Sequence, residues 1–295
     1  IPLETEGVVN YGVFLRMNVR DLDFHEGDNG RLLIVGGSKD YYGAPAIAGM
    51  AAIGAGADLV YVMAPESAAK AIKSTSPDLI VKSLEGDELS LEHSQQIIEL
   101  SEDVDAVLIG PGAGISDNTL KLFNVLVSKI KKPIVLDADA LKQVEMTLIK
   151  NRQDIILTPH IFEFKSFFKV NNDLKLDIDS YDFKKVDENI TQFQQISRQI
   201  KGSVIVKGKY DLILSGTKFK INKSGNPGMT VGGTGDALSG IATALFAQGL
   251  NAFDSACLAV FINGLAGDMA FDEKGNGFSA SDLVSFIGNV IKNGL

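Results

Sequence analysis

The chain has 295 residues, 45% of them hydrophobic, so it can bury a sizeable core as one large domain or two modest ones. Its formal net charge of −9 argues against bulk nucleic-acid affinity, which needs a basic surface. Its one cysteine, Cys257, leaves no disulfide framework or cysteine metal cluster. No apolar stretch reaches the roughly 18 residues of a membrane span. The first ten residues, IPLETEGVVN, lack the charged-then-apolar order of a secretory signal. The expected compartment is the cytoplasm.

Residues 1–28 show no clear periodicity and read as an arm leading to a domain over 29–295. Short β-branched runs follow at 32–35, 59–63, 104–109, 134–136, 155–157 and 204–206. Most are apolar without alternation, as strands covered on both faces should be. Helical spacing appears at 46–56, 120–130 and 190–200, which with the strands predicts βαβ units and a mostly parallel sheet. Residues 171–185, polar and charged, read as a surface connection. Beyond residue 206 the pattern changes. Residues 211–215 and 218–221, joined by Gly216-Thr217, predict an antiparallel hairpin. Helices are expected at 236–248, 252–270 and 281–291. Gly249 stands where a C-cap belongs, and Ser279 with Asp282 resembles a capping pair.

The stretch with most chemistry is GNPGMTVGGTGD, residues 225–236. Gly232, Gly233 and Gly235 let the backbone take positive φ and approach a ligand closely. The apolar stripe after Asp236 makes this the N-terminus of a helix, where free N–H groups and the dipole favour an anion such as phosphate. A carboxylate beside that phosphate can accept a proton from an attacking hydroxyl. The plain alternative is that Asp236 only caps the helix. No Gly-Lys-Ser/Thr follows, so the stretch is not a Walker A loop, and it lies too late in the chain for the dinucleotide fingerprint.

Other motifs end strands, where open α/β sheets bind ligands. Gly36-Gly37-Ser38 and Tyr42-Gly43-Ala44 follow the first run. The small Ala44 leaves room for a bulky ring, whereas Gly49, Gly54 and Gly56 read as helix packing. Gly110-Pro111-Gly112-Ala113-Gly114 either offers N–H groups or only turns the chain. In Asp137-Ala138-Asp139, Asp137 could reach phosphate or hydrated Mg2+, and Asp139 reads as a helix cap. The acids lack the company of a direct metal site, so no protein metal ligands are expected. Thr158-Pro159-His160 places one of 3 histidines past a strand. Lys207 is a candidate cation for phosphates, or a surface lysine. Asn226 before Pro227 could orient its loop by an Asx turn.

Taken in order, these motifs resemble the ADP/ATP-dependent NAD(P)H-hydrate dehydratases, the YjeF C-terminal family of the ribokinase-like superfamily. The matching stretches are Gly30-Arg31 leading to Val35-Gly36-Gly37-Ser38, Tyr42-Gly43-Ala44-Pro45, Gly54-Ala55-Gly56-Ala57, Gly110-Pro111-Gly112, Leu136-Asp137-Ala138-Asp139-Ala140, Leu157-Thr158-Pro159-His160, Val206-Lys207-Gly208 and GNPGMTVGGTGD. The match runs from about residue 25 to the end. It implies a three-layer α/β/α domain with a mostly parallel central sheet and a C-terminal antiparallel hairpin. It also implies a repair reaction: phosphorylation of the ring hydroxyl of NADHX or NADPHX, then loss of phosphate to restore NAD(P)H. The substrates are then the hydrated dinucleotide and ADP or ATP with Mg2+. By the same resemblance Asp236 is catalytic, and Ala44, Gly112, His160 and Asp236 bind the hydrated dinucleotide. Lys207, Gly208, Lys209, Tyr210, Asp211, Gly232, Gly233 and Gly235 bind the nucleotide. A homo-oligomer, with a tetramer among the options, and an epimerase domain fused or paired with this one complete the expectation. The alternative is a superfamily kinase of a vitamin precursor or sugar. One departure stands out: the family continues Pro-Gly-Glu-Phe after its histidine, and this chain has Ile161-Phe162-Glu163-Phe164.

Overall fold

A computed structural model describes residues 7–17, 23, 25–169 and 186–294, with side chains of the eighth helix described from residue 191. The expected surface connection at 171–185 lies outside the described residues. The first half of the chain runs β1 (Gly7–Val8), β2 (Arg31–Val35), α1 (Gly43–Gly54), β3 (Leu59–Pro65), α2 (Glu66–Lys73), β4 (Leu79–Leu84), α3 (Ser94–Glu102), β5 (Ala106–Ile109) and α4 (Asp117–Lys129). It continues β6 (Ile134–Leu136), α5 (Asp139–Gln143), α6 (Met146–Ile149), β7 (Ile155–Leu157), α7 (Ile161–Phe167) and α8 (Val186–Ser197). The last third is β8 (Ser203–Val206), β9 (Asp211–Ser215), β10 (Lys218–Asn222), α9 (Thr234–Ala247), α10 (Ala252–Lys274) and α11 (Ala280–Gly294).

Among the described residues ten strands join one sheet in the order β1-β10-β9-β8-β7-β6-β5-β2-β3-β4. Strands β2 to β8 pair in parallel. β9 is antiparallel to both β8 and β10, so the hairpin extends the sheet. β1 pairs in parallel with β10, which ties residues of the expected arm to the sheet edge.

Alternation along each strand divides two cores. Leu32, Ile34, Leu108, Val135, Ile156 and Ile205 face α1, α9, α10 and α11. Leu33, Val35, Val107, Ile109, Leu136, Leu157 and Val206 face the layer that holds α3 to α5, α7 and α8. Burial on both faces is why the runs read as continuous apolar stretches. The alanine- and glycine-rich helices follow from close packing of α1 on α9: a Cβ at Gly240 would collide with the backbone of Ala48. Gly49 and Gly54 face Leu79 and Ile287, as packing glycines should. Gly56 corrects its reading, since it turns the chain at φ +93.

Most predicted helices start a few residues earlier than their apolar stripes. Ser116 accepts the Thr119 N–H, so α4 starts before its apolar stripe. Gly249, at φ +89, ends α9 as expected, and Ser279 and Asp282 exchange capping bonds at α11. Strand β4 escapes the sequence pattern because it is an edge strand, whose exposed Lys82 and Ser83 interrupt the apolar run.

Sheet order reverses between β2 and β5: β3 and β4 lie on one side of β2, and β5 to β8 on the other. Such a switch point opens a crevice at the carboxyl ends of the strands. The loops after β2 and β5 meet there, with the Gly37 N–H donating to Pro111 O at 2.8 Å.

Candidate active site

Five neighbouring parallel strands, β8-β7-β6-β5-β2, deliver the loops of the site. At about 4.8 Å per strand, the row spans roughly 19 Å. Lys207 ends β8, Pro159 and His160 follow β7, and Asp137 to Asp139 follow β6. Gly110 to Gly114 follow β5, and Gly36 to Ala44 follow β2. The N-terminus of α9 meets the Lys207 side chain, whose Nζ lies 3.4 Å from where a Cβ at Gly235 would stand.

That N-terminus is built around Gly233, at φ +100. The N-cap is Gly233, with no side-chain cap, so the reading of Asp236 as an N-cap is corrected: it is the third residue of the helix. Among the described residues its carboxylate accepts no hydrogen bond. Burial, then the negative charge of Asp137, push it up to about 7; Lys207 pulls down and Asp139 pushes up more weakly. The glycines divide their roles. A Cβ at Gly233 would press Ala280 Cβ and Ile47 Cδ1, each at 2.8 Å. Gly232 faces open space, and Gly235 looks at Lys207 Nζ, 3.4 Å from where its Cβ would stand. Positive φ belongs to Gly233 and not to Gly232 or Gly235, which corrects the expectation for those two.

Lys207 is no surface lysine. Its side chain is 21% exposed, and its Nζ donates to Oδ1 of Asp137 at 3.0 Å. Asp137, 1% exposed, also accepts the Thr158 hydroxyl on that oxygen at 2.7 Å. Burial works against the ammonium, but Asp137, Glu163 and Asp236 together hold it above the ordinary lysine range. Asp137 is therefore a partner of Lys207. Asp139 corrects its reading as a cap: Ala138 is the N-cap of α5, and the Asp139 carboxylate accepts the Gly114 N–H at 2.9 Å and pairs with Lys142. Between the two acids Ala138 sits at φ 50, ψ −118, a conformation that costs an L-residue on the order of 1–3 kcal/mol and that clusters at functional sites.

His160 and Lys207 form a parallel bridge between their strand ends, with the Lys207 N–H donating to Pro159 O at 2.8 Å. His160 caps α7: its Nδ1 accepts the N–H groups of Phe162 and Glu163 at 3.1 and 3.2 Å. Glu163 returns the bond by accepting the His160 N–H at 2.9 Å. This capping box preserves the turn despite the Ile161-Phe162 substitution. With Nδ1 engaged as acceptor, the proton sits on Nε2, which lies 3.5 Å from Glu163 Oε1, while the side chain is 49% exposed.

Ala44 and Gly112 come together. A Cβ at Gly112, whose φ is +60, would lie 3.2 Å from Ala44 Cβ and would strike the Tyr41 carbonyl. On the other flank, Gly208 donates to Asp211 Oδ1 at 3.4 Å, and Lys209 lies over the Tyr210 ring. Burial raises Asp211 to about 6, against the bonds it receives from Asn222 and Gly208.

Two supports were not evident from the sequence. Asp268 of α10 accepts the Gly225 N–H and the Asn226 Nδ2–H, each at 3.0 Å, and so anchors the loop that opens α9. Asn226 meanwhile makes its expected Asx turn, accepting from Gly228 N. Glu163 is the second, buried beneath His160 and felt electrostatically by Lys207. Its capping-box spacing from His160 was the available signal, whereas nothing local marked Asp268.

The sequence profile described as NAD(P)H-hydrate dehydratase matches residues 32–289. The chain belongs to the NAD(P)H-hydrate dehydratase family. It is 47% identical, over 100% of its length, to the bifunctional NAD(P)H-hydrate repair enzyme Nnr of Methanothermobacter thermautotrophicus, of which it covers 56%. The chain thus spans about half the length of the Nnr relatives it matches. It is 34% identical to the ADP-dependent (S)-NAD(P)H-hydrate dehydratase of Cenarchaeum symbiosum, with 92% of each chain covered. Among solved structures, the ADP/ATP-dependent NAD(P)H-hydrate dehydratase of Bacillus subtilis, co-crystallised with ATP/Mg2+, superposes with a TM-score of 0.77 at 21% identity, covering 99% of each chain. A ribokinase-like superfamily protein of Enterococcus faecalis gives 0.82 at 20% identity, covering 98% of this chain and 96% of its own. The dehydratase-family fold is therefore the ribokinase-like one. Among the described residues no helix is long and apolar enough to cross a membrane.

Proposed function

We propose that this chain dehydrates hydrated NAD(P)H at the expense of ADP or ATP. The observation that carries the reading is Asp236. A carboxylate pushed up to about 7 stands in the first turn of a helix whose open N–H groups suit a phosphoryl group, with Lys207 beside it. Such a group is poised to take a proton near neutral pH.

The hydroxyl on the hydrated ring is a poor leaving group. As its oxygen attacks the terminal phosphorus of the nucleotide, Asp236 accepts the hydroxyl proton. The amides of 232–235 and Lys207 hold the charge on the transferred group, since catalysis of this kind is mostly positioning and electrostatics. The O–P bond so formed turns the hydroxyl into a phosphate ester, and the ring C–O bond then breaks, phosphate leaving with the oxygen. The ring nitrogen lone pair assists departure, and a proton leaves the neighbouring carbon to restore the double bond. Phosphate, the shortened nucleotide and NAD(P)H are the products. The half-exposed His160 ring, Gly112 and the space above Ala44 receive the dinucleotide, and the turn 207–211 borders the nucleotide.

Among the described residues no three His, Cys, Asp or Glu side chains gather as a metal site. Asp137 and Asp139 are engaged by Lys207 and Lys142. These residues fit a Mg2+ carried on the nucleotide phosphates, where it would supply charge neutralisation. The bifunctional relatives support an epimerase domain as the partner activity.

The test is incubation of NADHX or NADPHX with ADP or ATP and Mg2+. Return of the near-ultraviolet absorbance of the reduced cofactor, with one phosphate released per turnover, is the expected result. A stable phosphate ester and no reduced cofactor would replace the dehydratase with a kinase.

A further inference from the structure

The Ile161-Phe162 pair that departs from the family pattern leaves a residue the chemistry above does not use. Phe162 is 75% exposed and packs into neither core, although the hydrophobic effect favours burying a phenyl ring. The apolar residues that fix α7 are Phe164 and Phe167. The Phe162 ring instead stands edge-on to the imidazole of His160, with centroids 6.0 Å apart and planes at 75°.

Single exposed apolar residues need no explanation, but grouped ones mark binding surfaces. Among the described residues seven large hydrophobic side chains are exposed, and four of them, Tyr41, Tyr42, Ile115 and Phe162, lie on segments leaving the carboxyl ends of β2, β5 and β7. Tyr41 is 66% exposed and its backbone walls Gly112; Ile115 follows Gly114. Tyr41 borders Gly112 and Phe162 borders His160, the positions read as dinucleotide contacts. None belongs to the 207–211 turn or to the glycine loop, where the phosphoryl donor is placed.

The two ends of the dinucleotide differ in shape. Hydration leaves its reacting ring with three saturated carbons, so that ring is puckered and stacks poorly. The purine at the far end is flat and stacks well on an aromatic face. The deep part of the site is charged, with Asp236, Lys207 and Asp137, whereas this rim is apolar. We propose that Phe162 is a stacking platform for the purine of the dinucleotide substrate. It makes this chain prefer the dinucleotide to its mononucleotide half. The inference rests on the dehydratase reading.

The test compares NADHX with hydrated reduced nicotinamide mononucleotide, which lacks the purine, for wild type, Phe162→Ala and Phe162→Trp. The ratio of kcat/KM between the two substrates should fall about five- to tenfold in Phe162→Ala and be retained in Phe162→Trp, since stacking is tolerant of the aromatic partner. The Kd for ADP and the melting temperature should not move, as the ring is exposed. An unchanged ratio, an equal loss on both substrates, or a weakened ADP affinity would overturn the proposal. If the wild type turned over neither substrate, the dehydratase reading itself would fall. The purine platform would then stand or fall on calorimetric Kd values for NADH and its mononucleotide half, whose ratio should shrink by the same factor in Phe162→Ala.

Discussion

Lys207 and Asp137, 70 residues apart in sequence, meet at 3.0 Å beneath the N-terminus of α9, and Thr158 locks the shared oxygen from the next strand. Removing one charge from such a buried pair strands the other. Asp137→Asn should therefore cost about 3 kcal/mol, the low end for buried pairs because Lys207 keeps some exposure. The double variant Asp137→Asn with Lys207→Met should lose less than the single one. Urea denaturation measures both, and a single-variant loss under about 0.5 kcal/mol would mean that the pair is not coupled to folding.

Asp236 titrates in a useful place. Its carboxyl is raised from the ordinary range to about 7, by burial first and by Asp137 second. As a general base it must be ionised, so kcat/KM should fall as pH drops below about 7. Asp236→Asn should abolish that limb and lower the rate by about 10²–10⁴ while ADP affinity persists. Stability runs the other way. The folded state holds this proton above the pH at which the unfolded chain releases it, so wild-type stability declines from about pH 4 to 7. Asp236→Asn, which carries no charge, should be more stable than wild type at pH 8, by on the order of 1–3 kcal/mol, and should lose that advantage near pH 4. Equal stability at pH 8 would remove the strained ionisation from the argument.

Gly232 and Gly233 should respond oppositely to alanine. At Gly233 the new Cβ meets Ala280 and Ile47 at φ +100, so Gly233→Ala should destabilise by about 1–3 kcal/mol. At Gly232 the Cβ enters open space, so stability should hold while ADP binding weakens. Thermal melts beside calorimetric titration separate the two. Loss of stability at Gly232 with unchanged ADP affinity would make that glycine a turn residue only.

His160 has two jobs that substitution can part. Its Nδ1 caps α7, and its half-exposed ring, with Nε2 3.5 Å from Glu163 Oε1, is proposed to meet the dinucleotide. His160→Ala should lose about 0.5–2 kcal/mol of stability and raise the dinucleotide KM about two- to tenfold. His160→Asn should restore the cap and the stability but not the KM. If both variants bind the dinucleotide normally, the histidine serves the helix alone.

Parallel strands, cap glycines and the phosphate-ready start of α9 were legible in the sequence because each is set by interactions within a few residues. Apolar runs mark strands buried on both faces, and glycines before a helical stripe expose the same amides in almost any context. The edge strand β4, two-residue β1 and short α2 and α3 gave weaker periodic signals, since exposed or small faces dilute the pattern. The site's charges were not local at all. That Asp137 serves Lys207, that Asp139 holds the Gly114 loop and that Asp268 anchors Gly225 from 43 residues away follow from strand order and from α10 packing against the α9 loop. The sequence alone thus marked the residues proposed to carry the chemistry. Tertiary structure decided which carboxylate is left unpaired: the sheet engages Asp137 and Asp139 with neighbours and half-buries Asp236 without a hydrogen-bond donor among the described residues, which raises its proton affinity toward neutral pH.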